Sequence, residues 1–594
     1  PIQREAFRRD PDPCEPVDVT LELENAPAPI AALVWRTVGA GHKDALGLEL
    51  IAKIAGGGVS SRLYRRLVLQ ESLAPMAGAE VMFLEQDGMF FAGAPLNPLS
   101  HDLDRVVAVM KEELERLRVG GVTEHELEKA RNQMLRDRVM LTLRVDGKAR
   151  TLGDAAVVGG NLVSVNEEMD RLRAITVQDL TRIAAQYLDP QHVYTFRVPR
   201  TGILGLGKGL ARLFFGSKRP EEELADECET HAINMSAEAS MDSSQVSASC
   251  LKEHFPRMMK LLGEMVLRPT FPAKPFETVR TQTLTYLTMA HGSPSYLADR
   301  ELRRRLYDSH PYARDVSGEP ADVRAIDAND LKSTWKIFAQ PDEAFIIIVG
   351  DITPDEVVAQ AEKVFGDWKA QTPKPHIDLA APENPETNHI YVIDRPGAAQ
   401  SEIRIAQLGV THTSPQIAEA DLVEAYFGGS FGSRLNNAIR VKKGLTYGAH
   451  GYFDAQRFLG SFIVSTFTKT DQTAEAVRLA LAEIARLREE SPTPEELRRQ
   501  QRYFLGSVPA RYETPQQVAS MLTYIVLNDL PDDHFRWRYA RIGALDAEGC
   551  MQFVRQTVQF DRMVIVVVGD GARVAEPLKS IATVTVVKPE APPG

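Results

Sequence analysis

Apolar positions recur along this chain with two periods. Stretches such as SEIRIAQLG (401–409) and GSFIVSTFTK (460–469) alternate apolar with polar residues, as half-buried strands do. Between them run charged segments whose apolar residues return every three or four positions. VVAVMKEELERLR (106–118) and AVRLALAEIARLR (476–488) are examples, and each predicts an amphipathic helix of three turns or more. FIIIVGD (345–351) and VIVVVGD (564–570) are unbroken apolar runs ending in a turn, which predicts short buried strands.

These elements repeat. GGGVSSRL at 56–63 is matched by GGSFGSRL at 428–435, and each follows an apolar helical run, LGLELIAKIA or AEADLVEAYF. Each is followed by the long charged helix and then by a helix start, Thr123-Glu124-His125-Glu126 or Thr493-Pro494-Glu495-Glu496. Both starts read as capping boxes, and Pro494 sits where a proline costs no helical hydrogen bond. The two offsets, 372 and 370 residues, differ by only two. A duplicated domain explains this. Residues 1–200, ending in the strand YTFRV, form one copy and residues 389–594 the other. Residues 201–369 lie between them, and the proline-rich segment 370–388 is a linker. The fold class expected is α+β, with repeated domains that each carry a mostly antiparallel sheet with helices on one face.

Composition narrows the function. The chain of 594 residues is long enough for about three or four domains. Its net charge of −12 argues against a nucleic-acid partner, and no apolar run is long enough to span a membrane. Cys14, Cys228, Cys250 and Cys550 lack metal-ligand spacing. The glycines of GILGLGKGL lack the ending and the context of a phosphate loop. The opening Pro1-Ile2-Gln3-Arg4 has neither initiator methionine nor signal segment, which fits a processed or partial chain.

FGSRLNNAIRVKKGLTYGAHGYF, HPYARDVSGEP, LRPTFPAKPFE and the VGD strand ends together resemble the insulinase/pitrilysin (M16) family of zinc metallopeptidases. The resemblance covers nearly the whole chain, as the second, third and fourth of the family's four homologous domains. It implies a two-halved clamshell. It also implies zinc held by a His-x-x-Glu-His helix and a distant glutamate, with an open position for water. No His-x-x-Glu-His occurs in this chain. Glu124-His125-Glu126 and Glu253-His254 offer one imidazole each and read as solvated helix residues. In the third unit the resemblance places Lys208, Ala211 and Arg212 at the metal motif and Tyr286 at the downstream glutamate, a degenerate site. The stretch before Lys208 is short, and the leading strands that the resemblance implies for that unit are expected to be missing between Val198 and Gly205.

The fourth unit matches the family's arginine/tyrosine pair at Arg440 and Tyr447. The resemblance implies that Arg440 orients substrate carbonyls and that Tyr447 holds the carbonyl oxygen and its developing charge. The first copy has Val68 and Pro75 at those positions, so only one copy carries the pair. His310 is expected to pack or hydrogen-bond rather than react. The expected function is the non-metal part of a zinc endopeptidase acting on peptides or unfolded polypeptides. A His-x-x-Glu-His domain or subunit, expected to precede Pro1 or to come from another chain, would supply the zinc. The alternative is a non-catalytic structural or peptide-binding subunit of a peptidase-like complex. A homodimer and a bacterial periplasmic or cytoplasmic location are both compatible with the resemblance.

Overall fold

Alternation along β1 (Val17–Thr20), β2 (Ile30–Val38), β3 (Gly78–Phe83), β4 (Asp87–Pro95) and β5 (Tyr194–Val198) builds the first sheet, in the order β1-β5-β2-β4-β3. The computed structural model describes residues 15–21, 29–96, 102–159, 162, 164–198, 221–370, 379 and 381–588. In β2 every second residue is buried, and Ala31, Leu33 and Trp35 join the core formed with helices Ala45–Gly56 and Leu103–Gly120.

A hairpin, β6 (Asn234–Ala239) and β7 (Ser244–Ser249), follows, with helices Glu221–Thr230, Phe255–Leu267, Ala273–Gly292 and Pro294–Tyr307 around it in the chain. The last sheet contains β8 (His389–Asp394), β9 (Gln400–Gly409), β10 (Ala449–Ala455), β11 (Gly460–Lys469), β12 (Val564–Gly569) and β13 (Thr583–Val587), ordered β10-β11-β9-β12-β8-β13. Its path β8-β12-β9-β11-β10 retraces β1-β5-β2-β4-β3, with β13 added outside β8. In both sheets the first strand pairs in parallel with the strand that closes the copy, and the other shared pairings are antiparallel.

Two expectations need correction. The run 345–351 is not a strand: no ladder forms there, and Phe345 and Ile346 are partly exposed. Among the described residues this unit offers only the β6–β7 hairpin as a sheet, and the segment joins no ladder with it. Its counterpart β12 lies between β9 and β8 and is buried throughout. The last sheet also does not carry apolar cover on one face only. Helix Pro294–Tyr307 lays Ala298, Leu302 and Leu306 against Ile393, Ala406, Val564 and Val566 on its outer face. That double burial explains why β12 is apolar without alternation. The described part of the linker contains neither helix nor strand.

The glycine-SRL segments hold their shape by the same contacts in both copies. A Cβ on Gly56 would lie 2.0 Å from the Ala79 amide nitrogen, and one on Gly428 would lie 2.1 Å from that of Gly451. The end of the preceding helix therefore touches the edge strand directly, an approach only glycine allows. Ser61 and Ser433 then begin short helices that continue as π-turns, Arg65–Gln70 and Asn437–Lys442. Both π-turns end at a left-handed residue, Ser72 (φ 52°) or Gly444 (φ 63°). Arg62 donates to Glu126 from Nε at 2.7 Å and from Nη2 at 2.8 Å. Arg434 repeats the fork on Glu496 at 3.0 and 2.8 Å. Glu126 also completes a reciprocal capping box with Thr123, whereas Thr493 caps the Glu496 N–H at 3.1 Å.

Two predictions follow from this scaffold. Gly56→Ala and Gly428→Ala should each destabilise the chain by about 2 kcal/mol through overpacking against backbone, while Gly432→Ala, whose Cβ meets open space, should be near neutral. Urea unfolding of the three variants checks this. Burial pushes the Glu126 carboxyl up, but its bonds from Arg62 and the Thr123 N–H outweigh burial and hold it at about 2, below its ordinary 4.5. A depressed carboxyl stabilises above the unfolded-state value and loses that contribution as pH falls toward the folded-state value. The contribution is about 3 kcal/mol. The stability gap between the native chain and Glu126→Gln should therefore be full at neutral pH and shrink between pH 4.5 and about 2.

Candidate functional site

Arg440 and Tyr447 belong to one continuous segment between helix Ile417–Phe427 and β10, the free edge of the last sheet. The helix closes with the Gly428 and Gly429 amides donating to the Glu424 carbonyl at 3.0 and 2.8 Å. The chain loops out through Ser430, Phe431 and Gly432. Asn436 and Asn437 hold the loop by donating from Nδ2 to the carbonyls of Phe431 (2.6 Å) and Gly432 (3.0 Å). Arg440 then sits in the π-turn, a wide turn that is common where a helix carries function. Gly444 reverses the chain, its amide donating to the Arg440 carbonyl at 2.9 Å.

The result is an open, mixed surface. The Arg440 guanidinium lies 4.7 Å from the centre of the Phe431 ring, a cation–π contact that fixes the arginine without occupying its donors with a carboxylate. Phe431 is 71% exposed and Tyr447 82% exposed. Leu445 and Thr446, just before the tyrosine, are buried and anchor it. The sequence reading missed Phe431. The available signal was an aromatic residue inside a glycine-serine loop where the other copy has Val59.

Beneath the loop, burial raises the Glu424 carboxyl to about 7, and the carboxyl accepts the Phe453 N–H at 3.0 Å. With Gly428 against Gly451, that bond covers the outer edge of β10 at its centre.

The same face of the first copy is closed. Val59, Val68 and Leu69 form an apolar cluster with Ala225 of helix Glu221–Thr230. The Pro75 carbonyl accepts from Gln282 Nε2 at 3.2 Å. His125 is not a merely solvated residue, because its Nε2 lies 2.8 Å from Asp226 across that contact, and Glu126 serves Arg62.

Zinc does not fit the side chains at the degenerate motif. Lys208, Ala211 and Arg212 lie outside the described residues, and an ammonium, a methyl and a guanidinium are not zinc donors. Tyr286 lies on helix Ala273–Gly292, partly exposed, and burial raises its phenol further above its ordinary value. Among the described residues no three His, Cys, Asp or Glu side chains come together as a metal-holding group. Burial pushes the thiols of Cys250 and Cys550 up to about 11 and about 12, so both stay protonated at neutral pH. His310 is buried, and its Nδ1 accepts the Tyr312 N–H at 3.2 Å, as expected of a packing histidine. No helix among the described residues is long and apolar enough to cross a membrane.

Comparison with known proteins fits this arrangement. The model for the peptidase M16 inactive domain matches residues 2–134 and 325–504, and that for insulinase (peptidase family M16) matches residues 201–319. The non-peptidase homolog YmxG of Helicobacter pylori is 24% identical over 298 residues, 48% of this chain and 66% of that protein. The probable inactive metalloprotease YmfF of Bacillus subtilis is 24% identical over 245 residues, 39% of this chain and 55% of that protein. The matched region thus spans between half and two thirds of these relatives. An uncharacterized zinc protease YmxG of Bacillus subtilis is 21% identical, over 52% of this chain and 75% of that protein. Among solved structures, a peptidase M16 inactive domain from Pseudomonas fluorescens superposes with a TM-score of 0.56 at 25% identity, covering 60% of this chain and 86% of that one. The periplasmic protease PqqL of Escherichia coli shares the fold over 96% of this chain and 75% of its own, with a TM-score of 0.50 at 13% identity. The chain belongs to the M16 (insulinase) family, and its relatives include proteins described as non-peptidase and as inactive.

Proposed function

We propose that this chain is a non-catalytic, peptide-holding part of an M16-type assembly, with Arg440 and Tyr447 as its gripping pair. The observation that carries this reading is the contrast at one position of a duplicated scaffold. Tyr447 stands in solvent and Arg440 is half-buried under Phe431, where the other copy buries Val68 and hydrogen-bonds the Pro75 carbonyl. An arginine stacked on an exposed ring keeps its forked donors free for peptide carbonyls, and an exposed phenol donates to a carbonyl oxygen. The descriptions of the Helicobacter and Bacillus relatives as non-peptidase and probably inactive support the non-catalytic part.

Within this reading the first, middle and last units are the second, third and fourth domains of a two-halved shell. Hydrolysis, where it occurs, belongs to a His-x-x-Glu-His domain or subunit that supplies zinc. This chain's residues bind and orient an extended peptide. Because Glu424 and Gly428 cover the centre of the β10 edge, the strand that pairs with the peptide backbone comes from that partner.

The chain alone, dialysed against micromolar zinc, should hold far less than one equivalent and leave a quenched unstructured peptide uncut. The same peptide should still bind, as read by fluorescence anisotropy. Arg440→Ala should weaken binding about tenfold, through lost charge-assisted bonds, and Tyr447→Phe severalfold. Stoichiometric zinc with hydrolysis, or binding indifferent to both substitutions, would contradict the proposal.

A further inference from the structure

The two copies of the glycine-SRL face differ in what covers them. In the first copy the cover is helix Glu221–Thr230. Leu224 and Cys228 of that helix belong to the core of its own unit, while Ala225 enters the cluster with Val59, Val68 and Leu69. Two carboxylates follow the alanine on the same helix. Asp226 accepts from Lys129 Nζ at 3.0 Å and pairs with His125, and Glu229 accepts from the Ser60 amide at 3.3 Å and from its hydroxyl. Asn132 donates to the Thr230 carbonyl at 2.8 Å. One small apolar knob flanked on one side by acidic side chains thus seats on an apolar patch with a lysine beside it.

Shifting by the repeat offsets gives the face of the second copy. Phe431 and Val441 replace Val59 and Leu69, and instead of 7% each they are 71% and 59% exposed. Arg499 replaces Lys129 and Arg502 replaces Asn132. Both are exposed, and neither makes an ion pair with another described residue. Glu495 stands where His125 does, so any carboxylate from outside must pair through the arginines. This face is therefore larger in apolar area, and it gains an arginine at the position that meets the helix end in the first copy while a glutamate replaces the histidine that meets Asp226.

We propose that the face formed by Phe431, Val441, Arg499 and Arg502 docks an acidic amphipathic helix of a partner M16-type domain, as helix Glu221–Thr230 docks on the first copy. Apolar area at the centre and arginines at the rim fit such a helix in both shape and charge. The seating also has a consequence for the gripping pair. In the first copy the covering unit reaches Pro75 through Gln282, so a partner seated alike extends over Tyr447. The inference rests on the peptide-holding reading only for the kind of domain that brings the helix.

The test uses the full chain and a fluorescent, hydrocarbon-stapled peptide of residues 221–233 with its cysteine replaced by serine. The native chain's own copy of this helix already fills the first face, so added peptide reports on the second. Saturable binding is expected. It should weaken about tenfold with Arg499→Glu plus Arg502→Glu, and equally when Asp226 and Glu229 of the peptide become Asn and Gln. A peptide with Asp226→Lys and Glu229→Lys should prefer the doubly reversed chain to the native one, which a misfolded variant could not produce. Tyr447→Phe should leave helix binding unchanged. Absence of binding, or equal affinity in all charge combinations, would overturn the docking proposal. If helix binding follows the charges while the unstructured peptide ignores Arg440→Ala, the docking stands and the peptide-holding reading fails.

Discussion

Each copy of the domain turns on one half-buried fork, Arg62 on Glu126 and Arg434 on Glu496. The arginine comes from the short helix after the glycine loop, and the glutamate from the first turn of the helix that follows the long charged one. The guanidinium also reaches carbonyls of the intervening connection, Gly121 in one copy and Glu490 and Ser491 in the other. Removing either partner would leave a partly desolvated charge without its forked bonds, which is destabilising. The fork therefore locks the π-turn to the helical layer. Where the π-turn sits determines which way residues 68 and 440 face.

On that shared frame the two copies have diverged most visibly in what the loop presents. The first copy presents valine, valine and leucine, and its neighbour buries them with Ala225. The second presents phenylalanine, arginine and valine; the phenylalanine and valine remain in solvent and the arginine is half-buried. The close contacts of Gly56 and Gly428 with the edge strand are the same to within 0.1 Å, so the divergence is in side chains and not in backbone path. A scaffold of this kind separates stability from recognition. Glycines and the arginine fork maintain the turn, and the residues between them are free to change.

Much of this was legible in the sequence because the duplication is local and strongly patterned. The offset alone pairs Arg440 with Val68, and the shared strand orders bear out a repeated α+β architecture. What was not legible depends on contacts between units. The FIIIVGD run has the composition of a strand, but composition cannot supply a neighbouring ladder, and none forms among the described residues. His125 and Lys129 read as ordinary helix residues until Asp226 arrives from a hundred residues away. Phe431 opens the FGSRL motif, but nothing in the motif marks its ring as functional. Its meaning comes from the stacked Arg440 and from the buried Val59 that it replaces.

The central claim is that one face of a duplicated domain is covered and its twin is open. Hydroxyl-radical footprinting of the intact chain reads this directly, since side-chain oxidation, corrected for each residue's intrinsic reactivity, follows solvent access. The account predicts strong modification at Phe431, Val441 and Tyr447, and protection at Val59, Val68 and Leu69. Equal modification of the two segments, or protection of Phe431 and Tyr447 in the isolated chain, would contradict it.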